Sequence, residues 1–161
     1  MAAVRDRDGA WAAGTPIAPD SPTPIQSPRV VVDSAGVATA VWALWDRPQG
    51  QVFAFVQASR QAPDGSWDDP VTLSRGTNGV TEVLAAVGGD GRVVVVWSGS
   101  ERRNGSYFAE VRSASRSQQR RWGFARVAGI KKGDPFLTPD GLGVTRTGRA
   151  RLIWLSFPRR G

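Results

Sequence analysis

Gly36-Val37-Ala38-Thr39-Ala40-Val41-Trp42 returns as Gly91-Arg92-Val93-Val94-Val95-Val96-Trp97, and again as Gly148-Arg149-Ala150-Arg151-Leu152-Ile153-Trp154. Each copy is a glycine, a largely apolar run and a tryptophan six positions after the glycine. The interval between tryptophans is 55 from Trp42 to Trp97 and 57 from Trp97 to Trp154. A second series, Trp11, Trp67 and Trp122, has intervals of 56 and 55, and its first two members follow the matching turns Asp8-Gly9-Ala10-Trp11 and Asp64-Gly65-Ser66-Trp67. Self-similarity at a fixed period is the mark of a repeat architecture and takes precedence over local propensity.

Working outward, each unit reads as four short strands. Val30–Val32 leads into the turn Asp33-Ser34-Ala35-Gly36, and residues 37–45 form a second run, copied at 93–97 and 150–155. Such near-continuous apolar runs are strands covered on both faces. After a polar loop, residues 51–59 alternate as a third strand, matched by 107–115. A fourth starts at the turn before Trp67 or Trp122 and runs through Leu73 or Val127. No stretch carries a 3.6-residue period.

Four strands, glycine turns and a recurring tryptophan in about 55 residues fit one blade of a β-propeller. The expected fold is all-β: four-stranded blades, about three per chain, with a partial blade at 1–28, blades at 29–80 and 81–133, and a partial blade at 134–161. The opening part supplies the late strands of a unit and the closing part the early ones, so together they amount to one split blade. Closed propellers have about four to eight blades. Hence either copies assemble as a homo-oligomer that completes a ring, or the chain is part of a longer one.

The units resemble the blades of bacterial β-propeller repeat proteins, in the neighbourhood of sialidase-type repeats, over nearly the whole chain. Asp64-Gly65-Ser66-Trp67 carries the resemblance, since the sialidase repeat also sets an Asp and a Gly before an aromatic in a tight turn. The family's pattern has more residues between them and a Ser or Thr before the Asp. The resemblance implies a rigid ring of loops and, in its catalytic members, an Arg cluster with a Tyr–Glu pair and an acid at the ring centre. Here the sole tyrosine is Tyr107, and Glu82, Glu101 and Glu110 are the only glutamates; none forms a recognisable motif with it.

Composition narrows the chemistry further. The 161 residues include no Cys and no His, which removes disulfides, thiolate metal sites, and the commonest metal ligand and general base. No cofactor or metal is expected. No run reaches the roughly 18 apolar residues of a membrane span, and Arg5, Asp6, Arg7 and Asp8 break any leader. An extracellular location follows only if the chain belongs to an exported protein. The formal charge of +7 suits acidic partners. Only Lys131 and Lys132 are lysines, and an Ala-, Gly-, Val-, Arg- and Pro-rich mixture is what G+C-rich coding produces by itself.

Most conspicuous residues have a structural explanation: the two tryptophan series pack between strands or over turns, and Asp8, Asp33, Asp64 and Asp90 serve Gly turns. Trp45 is different. Ser100 stands at its position in the second unit and Phe157 in the third, and it is followed by Asp46-Arg47-Pro48-Gln49-Gly50, echoed by Glu101-Arg102-Arg103-Asn104-Gly105. An aromatic, an acid, an Arg and an amide at one loop are the groups that stack on a sugar ring and bond its hydroxyls. The same set also makes a solvated turn with a local ion pair.

The candidate ligand-binding residues are therefore Trp45, Asp46, Arg47, Glu101, Arg102, Asn104 and Phe157, on a face that also collects Arg103, Lys131 and Lys132. The expected function is a non-catalytic binding module for a glycan or another polar or acidic surface ligand. Three alternatives are a fragment of a sialidase-like glycoside hydrolase, a nonspecific polyanion binder and a purely structural repeat protein.

Overall fold

The computed structural model describes residues 1–5, 8–18, 24–46, 53–74, 80, 82–117, 121–123, 126–133 and 137–157, with the side chains of Asp46, Phe53 and Arg102 excepted. Among these the chain is all-β, with no helix and ten strands in antiparallel sheets. β1 (Ile25–Val32), β2 (Ala38–Asp46), β3 (Phe53–Arg60) and β4 (Val71–Thr72) form one sheet in that order. β5 (Val83–Val87), β6 (Val93–Arg103), β7 (Ser106–Arg116) and β8 (Arg126–Lys132) form a second, and β9 (Leu137–Val144) pairs with β10 (Ala150–Ser156).

The alternation of side chains across a strand explains how these sheets stack. Val41, Ala43, Val56 and Ala58 on one face of the first sheet meet Val83, Val93, Val95 and Trp97 on the second. On the other face of β6 and β7, Val94, Val96 and Val111 meet Leu137, with Leu142 and Leu152 packed beside them. The run 93–97 is thus buried on both faces, as its unbroken hydrophobicity requires.

Three turns close at the same end of the stack with one hydrogen-bond pattern. Gly36, Gly91 and Gly148 donate to the carbonyls of Asp33, Gly88 and Thr145, which donate in return to those of Val37, Arg92 and Arg149. Each of the three glycines has positive φ, where a side chain would be strained. The Asp33 carboxylate accepts from the amides of Ala35 and Val37, the turn role expected of it.

A second shared pattern surrounds the other tryptophan series. Ala58 pairs with Val71 and Gln61 bridges to Trp67, while Ala2 bridges to Thr15 and Arg5 to Trp11. The amides of Ala12, Asp68 and Gly123 donate to the carbonyls of Val4, Arg60 and Ser115. Residues 1–5 lie against the outer face of β1 and β2, flanking a cleft of about 510 Å³ with Val30, Val32, Ala40 and Trp42. Among the described residues they do not pair with β9 and β10, which lie beyond the second sheet.

Three readings change. The fourth strand of the first sheet shrinks to two residues, because Pro70 brings no N–H to the ladder. β6 runs on to Arg103 and turns through Asn104 and Gly105, both at positive φ, as a two-residue hairpin turn requires. Trp97 and Trp42 are buried, but Trp154 remains 41% exposed and Trp11 more so. Trp154 lies over the backbone of Gly129 in β8; beyond β10 no further sheet is stacked among the described residues.

Candidate ligand-binding site

The end of the stack opposite the glycine turns is where β2 finishes at Asp46 and where β6 folds back into β7. Register decides which side chains share a face here. Trp97, Gly99, Glu101 and Arg103 stand opposite Arg112, Glu110, Phe108 and Ser106, so these eight look toward the first sheet. Trp45, two residues beyond Ala43 on the same face of β2, looks back at them and packs against the shared core.

Four of these residues form one ion-paired group. Glu110 sits in the middle of a strand flanked by buried Ala109 and Val111 and is only 1% exposed. Gly99 opposite it contributes no side chain. Arg112 binds the Glu110 carboxylate at 2.6 Å and reaches Glu101 at 3.1 Å. Arg103 bonds the other Glu110 oxygen and also Glu101, the latter at 2.7 Å. A buried carboxylate needs such partners, because an unpaired ion away from water is very costly. Glu110 thereby locks two guanidinium groups in place.

The outer half of the group faces solvent: the side chains of Glu101 and Arg103 are 41% and 43% exposed. The Arg103 hydrogen bond, aided by the charges of Arg103 and Arg112, holds the Glu101 carboxyl below the usual glutamate range against an opposing effect of burial. The Arg103 guanidinium is pushed up, first by its bond to Glu101 and then by Glu110. It lies 5.7 Å from the centre of the Phe108 ring, within cation–π range. Two acids and two arginines leave this group electrically balanced.

Of the seven residues expected to bind ligand, Glu101 belongs to this ion-paired group, and Trp45 packs half-buried against the shared core. Arg102 pairs with Tyr107 across β6 and β7, and its side chain is outside the described residues. Asn104 has positive φ in the hairpin turn, which accounts for its type without a ligand. Phe157 follows β10, half exposed, in a different sheet. Asp46 ends β2 opposite Phe53, with its side chain outside the described residues, and Arg47 lies wholly outside them.

Arg103, Phe108, Glu110 and Arg112 were absent from that set. The signal for two of them was a Glu and an Arg two positions apart in one strand, a spacing that puts both on one face. Cross-strand partners such as Arg103 depend on a register that no local pattern displays. The cationic face is also less free than its charge suggests, since Arg103 is ion-paired and Lys131 donates to Ser156 Oγ across two sheets at 2.8 Å.

Trp45 and Trp97 each bury an indole N–H with no acceptor among the described residues. By contrast, Trp42 donates to Gln57 Oε1 at 3.2 Å, and Gln57 is its cross-strand neighbour. The neighbour of Trp97 is Arg112, which has donors only. Arg112 therefore cannot give the Trp97 indole the acceptor that Gln57 supplies to Trp42.

Among the described residues no cluster of three or more carboxylates is placed to hold a metal ion, and no helix is long and apolar enough to cross a membrane. No family model, no curated protein and no solved structure matches this chain.

Proposed function

We propose that the chain is a non-catalytic binding module built from propeller-type blades that recur at the tryptophan interval, recognising a glycan or comparable polyhydroxy surface through the partly exposed ion-paired group at the β6–β7 hairpin. The blade reading is supported by the shared hydrogen-bond patterns at Gly36, Gly91 and Gly148, and by their spacing. The ligand reading rests on one observation above all: the ion-paired group is anchored by buried Glu110 and balanced in charge. A balanced pair of planar donors and acceptors beside an aromatic ring suits neutral hydroxyls better than a run of phosphates.

Strand alternation argues against the hydrolase alternative. Tyr107 pairs with Arg102, whereas Phe108, Glu110 and Glu101 lie on the opposite face, so the sole tyrosine does not share a face with either nearby glutamate. Glu82 is engaged with Arg29.

A glycan array probed with the intact chain and with the Arg103→Ala, Glu101→Gln and Trp45→Ala variants tests the reading. Saturable, sugar-selective binding that persists at about 0.5 M salt, where charge attraction is screened within several ångströms, is expected. All three variants should weaken it. Binding that collapses with salt and treats heparin, DNA and acidic glycans alike would assign the interaction to counterion release. Release of a chromogenic sugar would establish the hydrolase instead.

A further inference from the structure

The two ends of the sheet stack expose the two kinds of face that meet inside it. Displaced by the tryptophan spacing, Val30 and Val32 correspond to Ala85 and Val87, which pack against the first sheet. Ile153 corresponds to Val41 and Val96, both buried against the next sheet. Yet Val30 is 63% exposed and Ile153 is 66% exposed, with Val32 and Leu155 open beside them. Contiguous apolar surface of this kind marks an interaction site.

The edges correspond as well. On the far side of β10 no strand is paired among the described residues, whereas β2, its counterpart, takes β3 there. The residues matching the end of β3 are Ala2–Arg5, because the bridges Ala2–Thr15 and Arg5–Trp11 repeat Ala58–Val71 and Gln61–Trp67 at a spacing of 56. These residues lie at the opposite end of the same stack, so within one chain they are separated from β10 by both four-stranded sheets.

We propose that copies of this chain associate head to tail, the edge of β10 away from β9 taking residues 2–5 of the next copy as its antiparallel neighbour at Arg151–Ile153. The register follows from β2 and β3: Val41 faces Ala58 and Thr39 faces Arg60, so Ile153 faces Ala2 and Arg151 faces Val4. The outer face of β9 and β10 then covers Val30 and Val32 of that second copy. Backbone pairing supplies the affinity and the apolar faces the specificity, as in other strand additions. Two copies joined at both ends bring round six sheets, within the about four to eight that close a propeller. The closed pair is related by a two-fold axis, so the β10 end of each copy meets the N-terminal end of the other. It rests on the blade reading but not on the ligand.

The chain has no cysteine, so single Cys variants report the contact directly. Sedimentation of the intact chain should give about twice 17.2 kDa, and oxidising a mixture of Ala2→Cys and Ile153→Cys should give a covalent dimer that neither variant forms alone. Ile153→Lys should dissociate the assembly while its circular dichroism stays that of β-sheet. A monomeric intact chain, a single variant that links to itself, or an Ala2→Cys/Ile153→Cys chain that links only within itself would each overturn the proposal. A helical spectrum would overturn it together with the blade reading, whereas a failed glycan array leaves it standing.

Discussion

The β2–β3 and β6–β7 pairs hold the same places in their sheets and use their second residue layer differently. In the first, Trp42 is matched by Gln57, which accepts its indole proton. In the second, Trp97 is matched by Arg112, which instead binds a buried carboxylate. The same scaffold position therefore serves packing in one sheet and an ion-paired group in the other. The indole of Trp97 is left without an acceptor while Glu110 receives two arginines, and in the first pair the indole of Trp45, though not that of Trp42, is likewise without one among the described residues. Departures from local consistency of this kind concentrate where a protein binds.

The largest expected effect tests the packing half of the contrast. Trp97 is wholly buried between the first and second sheets, so Trp97→Ala should lose about 3–5 kcal/mol in urea denaturation. In the dissociated Ile153→Lys background Trp42→Ala should lose less, because within one chain its face is covered by the short N-terminal segment and a cleft rather than by a sheet. Equal losses would erase the distinction between the two positions.

Next comes the polar half. Glu110→Ala leaves two guanidinium groups without their anchor and should cost about 3 kcal/mol, whereas Gln57→Ala, which frees one indole proton, should cost about 1 kcal/mol. A double-mutant cycle between Glu110 and Arg112 should return a coupling of at least about 1 kcal/mol; additive losses would mean that the pair does not act as a unit.

The hairpin turn gives a smaller effect. Gly105 has a φ of 78° and open space where a methyl group would be added, so Gly105→Ala meets backbone strain alone, about 1–2 kcal/mol by thermal unfolding.

The smallest effect is the pH dependence of Glu101. Its carboxyl is lowered on folding, chiefly by Arg103, so its contribution is present above the unfolded value and is lost as pH falls through the folded one. Because the side chain is 41% exposed, solvent screening keeps the contribution under about 1 kcal/mol. The stability difference between the wild-type chain and Glu101→Gln should be constant from neutral pH to just above the ordinary glutamate value of 4.5 and shrink below it. A difference that grows with acid would reverse the assigned sign.

The all-β class was legible in the sequence, as were the position of most strands and the burial of Val93–Trp97 on both faces. Each depends on short-range regularities: alternation, apolar runs, and glycines whose positive φ closes a turn. The Gly-Trp spacing also located three turns that share one hydrogen-bond pattern. Of the candidate ligand-binding residues, Glu101 joins the ion-paired group, Trp45 packs on the shared core, Asn104 has positive φ in the hairpin turn and Phe157 follows β10.

What the tertiary structure alone decided is which charges meet. Arg103 and Glu110 are seven residues apart and Glu101 and Arg112 eleven, and they converge because the two-residue turn at Asn104 and Gly105 sets the register of β6 against β7. A one-residue slip of β7 against β6 would turn Glu110 and Arg112 to the face opposite Glu101 and Arg103. Alternation and turn glycines act over a few residues and can be read from the chain, whereas a buried ion-paired group depends on cross-strand register and on the sheet stacked above it.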